Sequence, residues 1–348
     1  MHNFPILEID LKAITRNYSL LRKQGKGDCA AVVKANAYGL GVSEVAPALY
    51  KAGCREFFVA TLEEGIELRR YLSEAPSATI YVFHGVRKNQ AKDFLQYNLI
   101  PVLNTAEQIN YWADAGKYAL HIDTGMCRLG IPAEEKLPPV TNNLHLIISH
   151  LACSNDPAHP KNLEQLQKFR EVLQGFPTVR ASFANSSGVF LGKDYHFDLL
   201  RPGCSLYGIS PNTHLPNPVE NVVTLSAPVL QFNHITRDQT VGYGATAKVK
   251  KGSVIATVEM GYADGLMRSL GNVGYGYVGG ARVPIIGRVS MDMISVDVTS
   301  VPENLRNIDT RVTLIGKEQP VDVLAQAAGT IGYEIFTKIG NRVARIYT

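Results

Sequence analysis

The 348-residue chain is long enough to bury a large core and to form two domains. Its 35 lysines and arginines exceed its 31 aspartates and glutamates by too little to indicate a nucleic-acid or membrane-surface ligand. No apolar run approaches the roughly 18 residues of a membrane-spanning helix, and no signal peptide is visible, so we expect a cytoplasmic protein. The five widely spaced cysteines indicate reduced thiols and argue against a metal site.

Short β-rich runs alternate with amphipathic helical stretches through the first ~200 residues. Thr61-Leu-Glu-Glu64 is a capping box at the start of one such helix. Eight β–α steps favour an α/β fold with a closed eight-stranded β/α barrel, similar to a TIM barrel, over an open doubly wound sheet. The candidate strands are Cys29–Val33, Glu56–Ala60, Thr79–Phe83, Leu99–Val102, Tyr118–Asp123, Leu144–Ser149, Val179–Phe183 and Ser205–Ile209.

Helical periodicity fades after Pro211–Glu220, a stretch rich in proline and asparagine. We therefore predict a barrel domain over residues 1–220 and a smaller, mainly β domain over residues 221–348. The second domain has one candidate helix at Val321–Ala328. Its candidate strands are Val222–Leu225, Val229–Ile235, Val254–Glu259, Val283–Val289, Ile294–Val298 and Arg311–Ile315.

A lysine directly follows the first apolar β-run, in Ala31-Val-Val-Lys-Ala-Asn-Ala-Tyr-Gly-Leu-Gly41. Desolvating an ammonium is costly, so lysine usually avoids such a position. At the carboxyl end of a barrel strand, Lys34 would point into the mouth of the site, where burial lowers a lysine pKa and favours Schiff-base chemistry. A strand-end lysine that reaches solvent is the alternative from position alone.

A second motif, Leu199-Leu-Arg-Pro-Gly-Cys-Ser-Leu-Tyr-Gly208, lies where barrel enzymes often bind phosphate, in the loops after the last two strands. Ser186 offers a hydroxyl after the seventh strand candidate. Gly203 and Cys204 offer backbone N–H groups, and the glycine allows a close approach. A plain turn before a strand is the alternative use of Arg-Pro-Gly.

Three further motifs contain residue types that occur in catalytic or binding sites. Tyr243 lies between two glycines in a turn that could present its phenol, although aromatic residues in β-turns are common. Arg128 follows a strand and could hold a carboxylate with two hydrogen bonds, or could form a surface ion pair. Gly274-Tyr-Gly-Tyr-Val-Gly279 matches GxGxxG, but a strand-like run follows it where a dinucleotide site needs a helix.

The segment from Ala31 to Gly41 closely resembles the cofactor-lysine motif of alanine racemases, which combine a β/α barrel with a C-terminal β domain. The resemblance recurs at separated motifs along nearly the full chain. It implies pyridoxal 5'-phosphate (PLP) as cofactor, and a homodimer that interconverts L- and D-alanine and supplies D-alanine for peptidoglycan. Lys34 would hold PLP and serve the D side, and Tyr243 of the partner subunit would serve the L side.

The resemblance also implies roles for other residues. Arg201 would face the pyridine nitrogen and, because arginine keeps its proton, would leave PLP a weaker electron sink that suits racemisation. The remaining cofactor contacts would be Tyr38, Ser186, Gly203 and Cys204 at the phosphate and His150 at the ring. The substrate carboxylate would be held by Arg128 and the N–H of Met291, and the entrance would be lined by Tyr262 and by the partner subunit's Asp292.

Two positions depart from the family pattern. His121 stands where some members have a lysine, often carbamylated, that orients the substrate-binding arginine. Arg128 then needs another orienting partner. Asn341 stands where some members have a tyrosine that binds the phosphate, so the sequence does not show whether this position contacts the phosphate.

Three other functions remain alternatives from the sequence. A racemase for another or a broader range of amino acids, such as serine or lysine, would differ in a side-chain pocket that the sequence does not describe. A lyase or decarboxylase on the same barrel generally uses an acidic partner at the pyridine nitrogen, and Arg201 argues against it. A non-catalytic PLP carrier would lack the C-terminal β domain.

Overall fold

The computed structural model describes residues 4–137, 140–212 and 215–348. The chain divides into two compact units. One unit is Ala13–Glu220, and the other combines Asn221–Thr348 with the described residues before Ala13. We call them the barrel unit and the β unit.

Eight parallel strand positions form a closed barrel in the barrel unit, so the predicted β/α barrel is confirmed. Between the seventh and eighth strands, the Asp198 N–H donates to the Ala181 carbonyl at 3.0 Å and the Arg201 N–H to the Ala184 carbonyl at 2.9 Å, which closes the sheet. The strands are Asp28–Cys29 with Ala31–Val32, Glu56–Val59, Thr79–Val82, Leu99–Leu103, Tyr118–Asp123, Leu144–Ile148, Ala181–Ser182 and Leu199–Leu200, and Ile131–Pro132 pairs beside the fifth.

Helices alternate with these strands because amphipathic stretches separate the apolar runs. The predicted capping box is confirmed: Thr61 Oγ1 accepts the Glu64 N–H at 3.3 Å, and the Glu64 carboxylate accepts the Thr61 N–H at 3.4 Å. In the part of the chain that the structure describes, no helix has the length and apolar character to cross a membrane. The helices are Leu11–Arg22, Val42–Lys51, Leu62–Tyr71, Ala91–Gln96, Ala106–Trp112 and Lys161–Leu173, with 3-10 helices at Gly188–Phe190, Lys193–Tyr195 and Cys204–Tyr207.

The predicted eighth strand, Ser205–Ile209, is wrong. The strand is Leu199–Leu200, and most of the predicted segment is a 3-10 helix. Both segments are buried and apolar, so their composition does not distinguish them. The turn at Pro202–Gly203 therefore follows the strand, whereas we expected it to precede the strand.

The β unit is mainly antiparallel sheet. The predicted helix Val321–Ala328 is confirmed and a second helix, Gly332–Lys338, follows it. Its strands are Ile6–Ile9, Val223–His234, Gln239–Val241, Ala247–Val249, Val254–Val258, Tyr275–Val278, Ala281–Ile286, Ile294–Asp297, Arg311–Ile315 and Ala344–Tyr347, with 3-10 helices at Tyr243–Ala245, Tyr262–Asp264, Arg268–Leu270 and Glu303–Leu305.

Two expectations for this unit need correction. Val222–Leu225 and Val229–Ile235 are not separate strands, because one long strand runs through Pro228 and changes neighbours along its length. Ile6–Ile9 pairs with that long strand and with Ala344–Tyr347, so the first described residues lie in the β unit and not in the domain 1–220 where we expected them.

The GxGxxG match forms part of a β-hairpin. Tyr275–Val278 pairs antiparallel with Ala281–Ile286, and Gly279 and Gly280 between them have positive φ angles of 55° and 84°. Such angles favour glycine in a tight turn. The glycines therefore serve the hairpin, and the expected absence of a following helix is confirmed.

Candidate active site

The predicted site residues of the barrel unit follow the carboxyl ends of its strands. Lys34 follows the first strand and Arg128 the fifth. His150, Ser186 and Arg201 follow the sixth, seventh and eighth. Because parallel strands end at one rim of a barrel, the fold brings these side chains to the same face.

Charge effects link these groups to one another. Burial lowers the pKa of His150 well below its ordinary value, and the charges of Arg201, Arg128 and Lys34 lower it further. Burial also lowers the pKa of Lys34, as does the charge of Arg128, while the Glu64 carboxylate raises it. A lysine with a lowered pKa is more often the neutral amine that attacks a carbonyl.

A left-handed turn follows Lys34. Ala35 through Tyr38 have φ angles of 52° to 57°, and none of the four is glycine. Side chains disfavour this conformation by roughly 1–2 kcal/mol per residue, so surrounding contacts must hold it. The Ala37 N–H donates to the Val33 carbonyl at 2.9 Å, and Asn36 Oδ1 accepts the Val42 N–H at 2.8 Å.

Glu64 provides a further contact to this turn. Its Oε1 accepts the Ala35 N–H at 2.7 Å, directly after Lys34, and its Oε2 accepts the Ala60 N–H at 2.7 Å. The sequence identified Glu64 as a capping residue and missed its second contact.

Donors converge at the loop after the eighth strand. Ser186 Oγ accepts the Gly203 N–H at 2.9 Å and the Ser205 N–H at 3.2 Å. A Cβ on Gly203 would lie 2.4 Å from the hydroxyl oxygen of Tyr38, so only glycine leaves this space open. Tyr38, Ser186 and Gly203 thus come together as predicted. Cys204 is buried at the start of the 3-10 helix, and Ser205 was missed.

Arg201 is almost fully buried, with 2% of its surface exposed. Its Nε donates to Ser182 Oγ at 2.8 Å, and its Nη2 donates to the carbonyls of Ser149 and Phe183. Its Nη1 donates to no acceptor in the described part of the chain, so one donor is available for a ligand. Burial lowers the pKa of Arg201 to about 9, which leaves the guanidinium charged at neutral pH.

His121 is buried beside a residue that sequence reasoning missed. Its Nδ1 lies 2.8 Å from Asn104 Oδ1, while Asn104 Nδ2 donates to the carbonyls of Phe83 and Val102 at 2.9 Å. Asn104 Oδ1 must therefore be the acceptor, and Nδ1 of His121 carries the hydrogen. Burial and the charge of Arg201 lower the pKa of His121 to about 3, so the imidazole is neutral. Asn104 directly follows the fourth strand. A polar residue directly after a buried strand is the sequence feature that could have identified it.

Arg128 is exposed and makes no hydrogen bond or ion pair with any described residue. Its guanidinium is therefore available to bind a ligand. The structure gives no hydrogen bond from His121 to Arg128 that would replace the missing lysine.

The other predicted site residues lie in the β unit and are exposed. Tyr243 has 71% of its surface exposed and lies between Gly242 and Gly244, whose φ angles are 76° and 74°. A Cβ on Gly244 would lie 3.1 Å from Cζ of Arg288, so the tyrosine turn packs on the segment that leads to Met291.

Backbone hydrogen bonds fix the loop that contains Met291. The N–H groups of Tyr262 and Ala263 donate to the carbonyls of Ser290 and Met291 at 3.0 and 2.9 Å. The Met291 N–H has no acceptor among the described residues, and 54% of the residue's surface is exposed. The loop thus presents a free donor.

Arg342, another residue that the sequence did not single out, bridges this region. Its Nε donates to Asp264 at 2.8 Å and its Nη1 to Asp292 at 2.8 Å. Asp292 is therefore held beside the Met291 loop. Asn341 is exposed next to this arginine.

Comparison with known proteins covers nearly the whole chain. The family model for the alanine racemase N-terminal domain matches residues 9–211, and that for the C-terminal domain matches residues 222–347. The alanine racemase of Rickettsia canadensis is 44% identical over 98% of each chain. That of Rhodospirillum rubrum is 44% identical over 98% of this chain and 95% of its own.

Solved structures with the same fold include close relatives. The alanine racemase of Bartonella henselae, determined with covalently bound pyridoxal phosphate, is 39% identical, with a TM-score of 0.93 over 99% of both chains. The biosynthetic alanine racemase of Pseudomonas aeruginosa is 34% identical, with a TM-score of 0.90 over 100% of both chains.

Proposed function

Because the chain belongs to the alanine racemase family, we propose that it interconverts L- and D-alanine with PLP as its cofactor, supplying D-alanine for peptidoglycan. The observation that carries this proposal is the convergence of Lys34, the Ser186 loop and the buried Arg201 at one rim of the barrel. A lysine for the cofactor carbonyl, donors for a phosphate and a cation for a ring nitrogen are the groups that PLP needs.

The residues at this rim fit PLP. The Gly203 and Ser205 N–H groups donate to Ser186 Oγ beside Tyr38, so the Ser186 hydroxyl hydrogen would be donated to a phosphate oxygen. Nη1 of Arg201 would donate to the pyridine nitrogen, and His150 would contact the ring. When bound, PLP supplies the electron sink that makes the Cα proton of an amino acid acidic.

Arg128 of one chain and the backbone N–H of the partner subunit's Met291 would bind the substrate carboxylate. An arginine without a protein partner can donate two parallel hydrogen bonds to a carboxylate, and the free Met291 N–H adds a third donor. These contacts would fix Cα between the two bases. Tyr262 and Asp292 would line the entrance, and the bridge from Arg342 would hold Asp292 in place.

Lys34 and Tyr243 would exchange the proton on opposite faces of Cα. Inversion requires that one group removes a proton from one face and another group delivers a proton to the other face. Lys34 would serve the D side. Tyr243 would serve the L side from the partner subunit, a role supported by its exposure on the β unit.

We also propose a cytoplasmic homodimer with composite sites. Tyr243, Tyr262 and Met291 expose large apolar surfaces on one unit, which favours burial against a second copy. Cys29, Cys54, Cys127 and Cys153 form no disulfide bond, which is typical of a reducing compartment.

Circular dichroism of L-alanine incubated with the PLP-loaded protein tests the proposed reaction. The signal should decay to zero as the racemate forms, and D-alanine should give the mirror-image decay. An unchanged alanine signal, with decay of serine or lysine instead, would reject alanine as the substrate.

A further inference from the structure

The carboxylate of Glu64 joins two parts of the barrel rim. It belongs to the helix Leu62–Tyr71, which follows the second strand, yet its Oε1 accepts the Ala35 N–H at 2.7 Å after the first strand. Its Oε2 accepts the Ala60 N–H at 2.7 Å. Hydrogen bonds to an ionised carboxylate are short and strong, so the contact ties the residue after Lys34 to the neighbouring strand.

The segment that Glu64 holds is intrinsically unfavourable. Ala35 through Tyr38 adopt left-handed angles without glycine, so the free chain prefers other conformations there. The side-chain contacts to the backbone of this segment and its exit include those of Glu64 at the Ala35 N–H and of Asn36 at the Val42 N–H. The Glu64 contact is nearer to Lys34 than the Asn36 contact is, because Glu64 binds the N–H of Ala35, the residue directly after Lys34.

Glu64 also contributes charge at Lys34. Burial and the charge of Arg128 lower the pKa of Lys34, and the Glu64 carboxylate opposes them. His150, the other titratable group that interacts with Lys34, is neutral because its pKa is lowered well below the ordinary value. The Glu64 carboxylate is thus the anion that opposes the positive charge of Arg128 at this lysine.

We propose that Glu64 is a positioning residue for Lys34: its carboxylate holds the left-handed turn through the Ala35 N–H and contributes negative charge that acts on the lysine amine. This inference rests on the proposed function, because the role of Lys34 comes from it. Glu64 acts through Lys34 and its backbone, and it moves no proton of the substrate.

Glu64→Gln and Glu63→Gln form a matched pair of variants. Both remove one negative charge from the first turn of the same helix, but Glu63 is exposed and makes no bond to the Ala35 turn. Thr61 still caps the helix in both variants, and far-UV circular dichroism checks their folding. The amide of glutamine cannot accept both the Ala35 and the Ala60 N–H.

The first readout is hydrogen exchange of the Ala35–Tyr38 segment in the cofactor-free protein. Glu64→Gln should raise the exchange rate about tenfold, as expected for loss of a charge-assisted hydrogen bond, and Glu63→Gln should leave it at the wild-type value. Equal exchange in the two variants would overturn the positioning role. This result does not depend on whether the protein racemises alanine.

The second readout is the pH dependence of the rate at which the cofactor-free protein binds PLP, followed by visible absorbance. Bond formation needs the neutral amine, and loss of the carboxylate lowers the Lys34 pKa, so the midpoint should shift to lower pH in Glu64→Gln alone. Glu64→Asp keeps the charge with a shorter reach. It should therefore retain the wild-type midpoint while exchanging faster at Ala35.

Failure of the inference and failure of the proposed function give different results. If the wild-type protein does not bind PLP or leaves L-alanine unchanged, the proposed function fails, and hydrogen exchange still decides whether Glu64 holds the turn. If wild-type protein racemises alanine but Glu64→Gln matches Glu63→Gln in both readouts, the positioning role fails alone. Should Glu64→Gln not fold, Glu64→Asp with Glu63→Asp as its control decides the exchange test.

Discussion

The site residues of the barrel unit and those of the β unit are held in place in different ways. Arg201 and His121 are buried and tied by hydrogen bonds to neighbouring strands, and burial shifts their pKa values. Tyr243 and Met291 are largely exposed, and the backbone around them is ordered by glycine turns and loop hydrogen bonds.

The buried residues are held in place within one chain, whereas the exposed residues need a second surface to cover them. A buried, hydrogen-bonded cation is preorganised for a ligand within the barrel unit. An exposed phenol and a free N–H act on a substrate only when water is excluded around them. The contrast supports a division of labour in which the barrel unit binds the cofactor and the β unit completes the site of a partner.

Replacing Lys34 should have the largest effect on activity. Lys34→Ala removes both the cofactor-binding amine and one of the two bases, so racemisation should fall by roughly 10⁴-fold or more. The circular dichroism assay measures the loss. Lys51→Ala, at an exposed helix end, should leave the rate unchanged, and an active Lys34→Ala would remove the barrel unit from the chemistry.

Replacing Tyr243 should affect proton exchange on one face of Cα and not on the other. Tyr243→Phe should lower racemisation by roughly 10²–10⁴-fold, the usual contribution of a general base. In deuterated water, NMR should still show exchange of the Cα proton of D-alanine, because Lys34 remains. Tyr71→Phe, an exposed tyrosine of the barrel unit, is the control. Full racemisation by Tyr243→Phe would contradict the assignment of this base.

Replacing Arg128 should weaken substrate binding more than turnover. Arg128→Lys keeps the charge but loses the paired donors, so KM for alanine should rise roughly 10–100-fold with a smaller change in kcat. Steady-state kinetics measures the split. Arg70→Lys, on an exposed helix surface, should leave both constants unchanged. A change in kcat alone would show that Arg128 does not bind the carboxylate.

His121 should affect the pH dependence of stability in the barrel unit. Its pKa is about 3 in the folded protein and near 6.5 when unfolded, so below pH 6.5 the unfolded state binds a proton that the folded state does not. Its stabilising contribution is complete above that pH and is lost as the pH falls toward 3. His121→Asn should reduce the slope of unfolding free energy against pH by about 1.4 kcal/mol per unit. Urea denaturation measures it, with the exposed His159→Asn as control.

The sequence predicted site residues that directly follow a barrel strand. Lys34 could be identified because an ammonium after an apolar run is unusual, and its position at the barrel rim follows from the β–α alternation. Asn104 could have been found in the same way, as a polar residue directly after a buried strand. Helix Val321–Ala328 was predicted because its apolar spacing is local.

Features that depend on distant contacts were not predictable from local patterns. Ala35-Asn-Ala-Tyr38 has no glycine to indicate left-handed angles, which depend on contacts such as that from Glu64. Ile6–Ile9 joins the β unit because its pairing partners lie more than 200 residues away. The short eighth strand, Leu199–Leu200, has too few residues to show a pattern.

The most direct test of the composite site mixes two inactive variants, Lys34→Ala and Tyr243→Phe, by joint refolding. If each site combines Lys34 of one chain with Tyr243 of the other, half of the dimers are mixed and each holds one intact site. The mixture should then regain about a quarter of wild-type racemisation. If both bases come from the same chain, no mixed dimer holds an intact site, and the mixture would stay as inactive as its components.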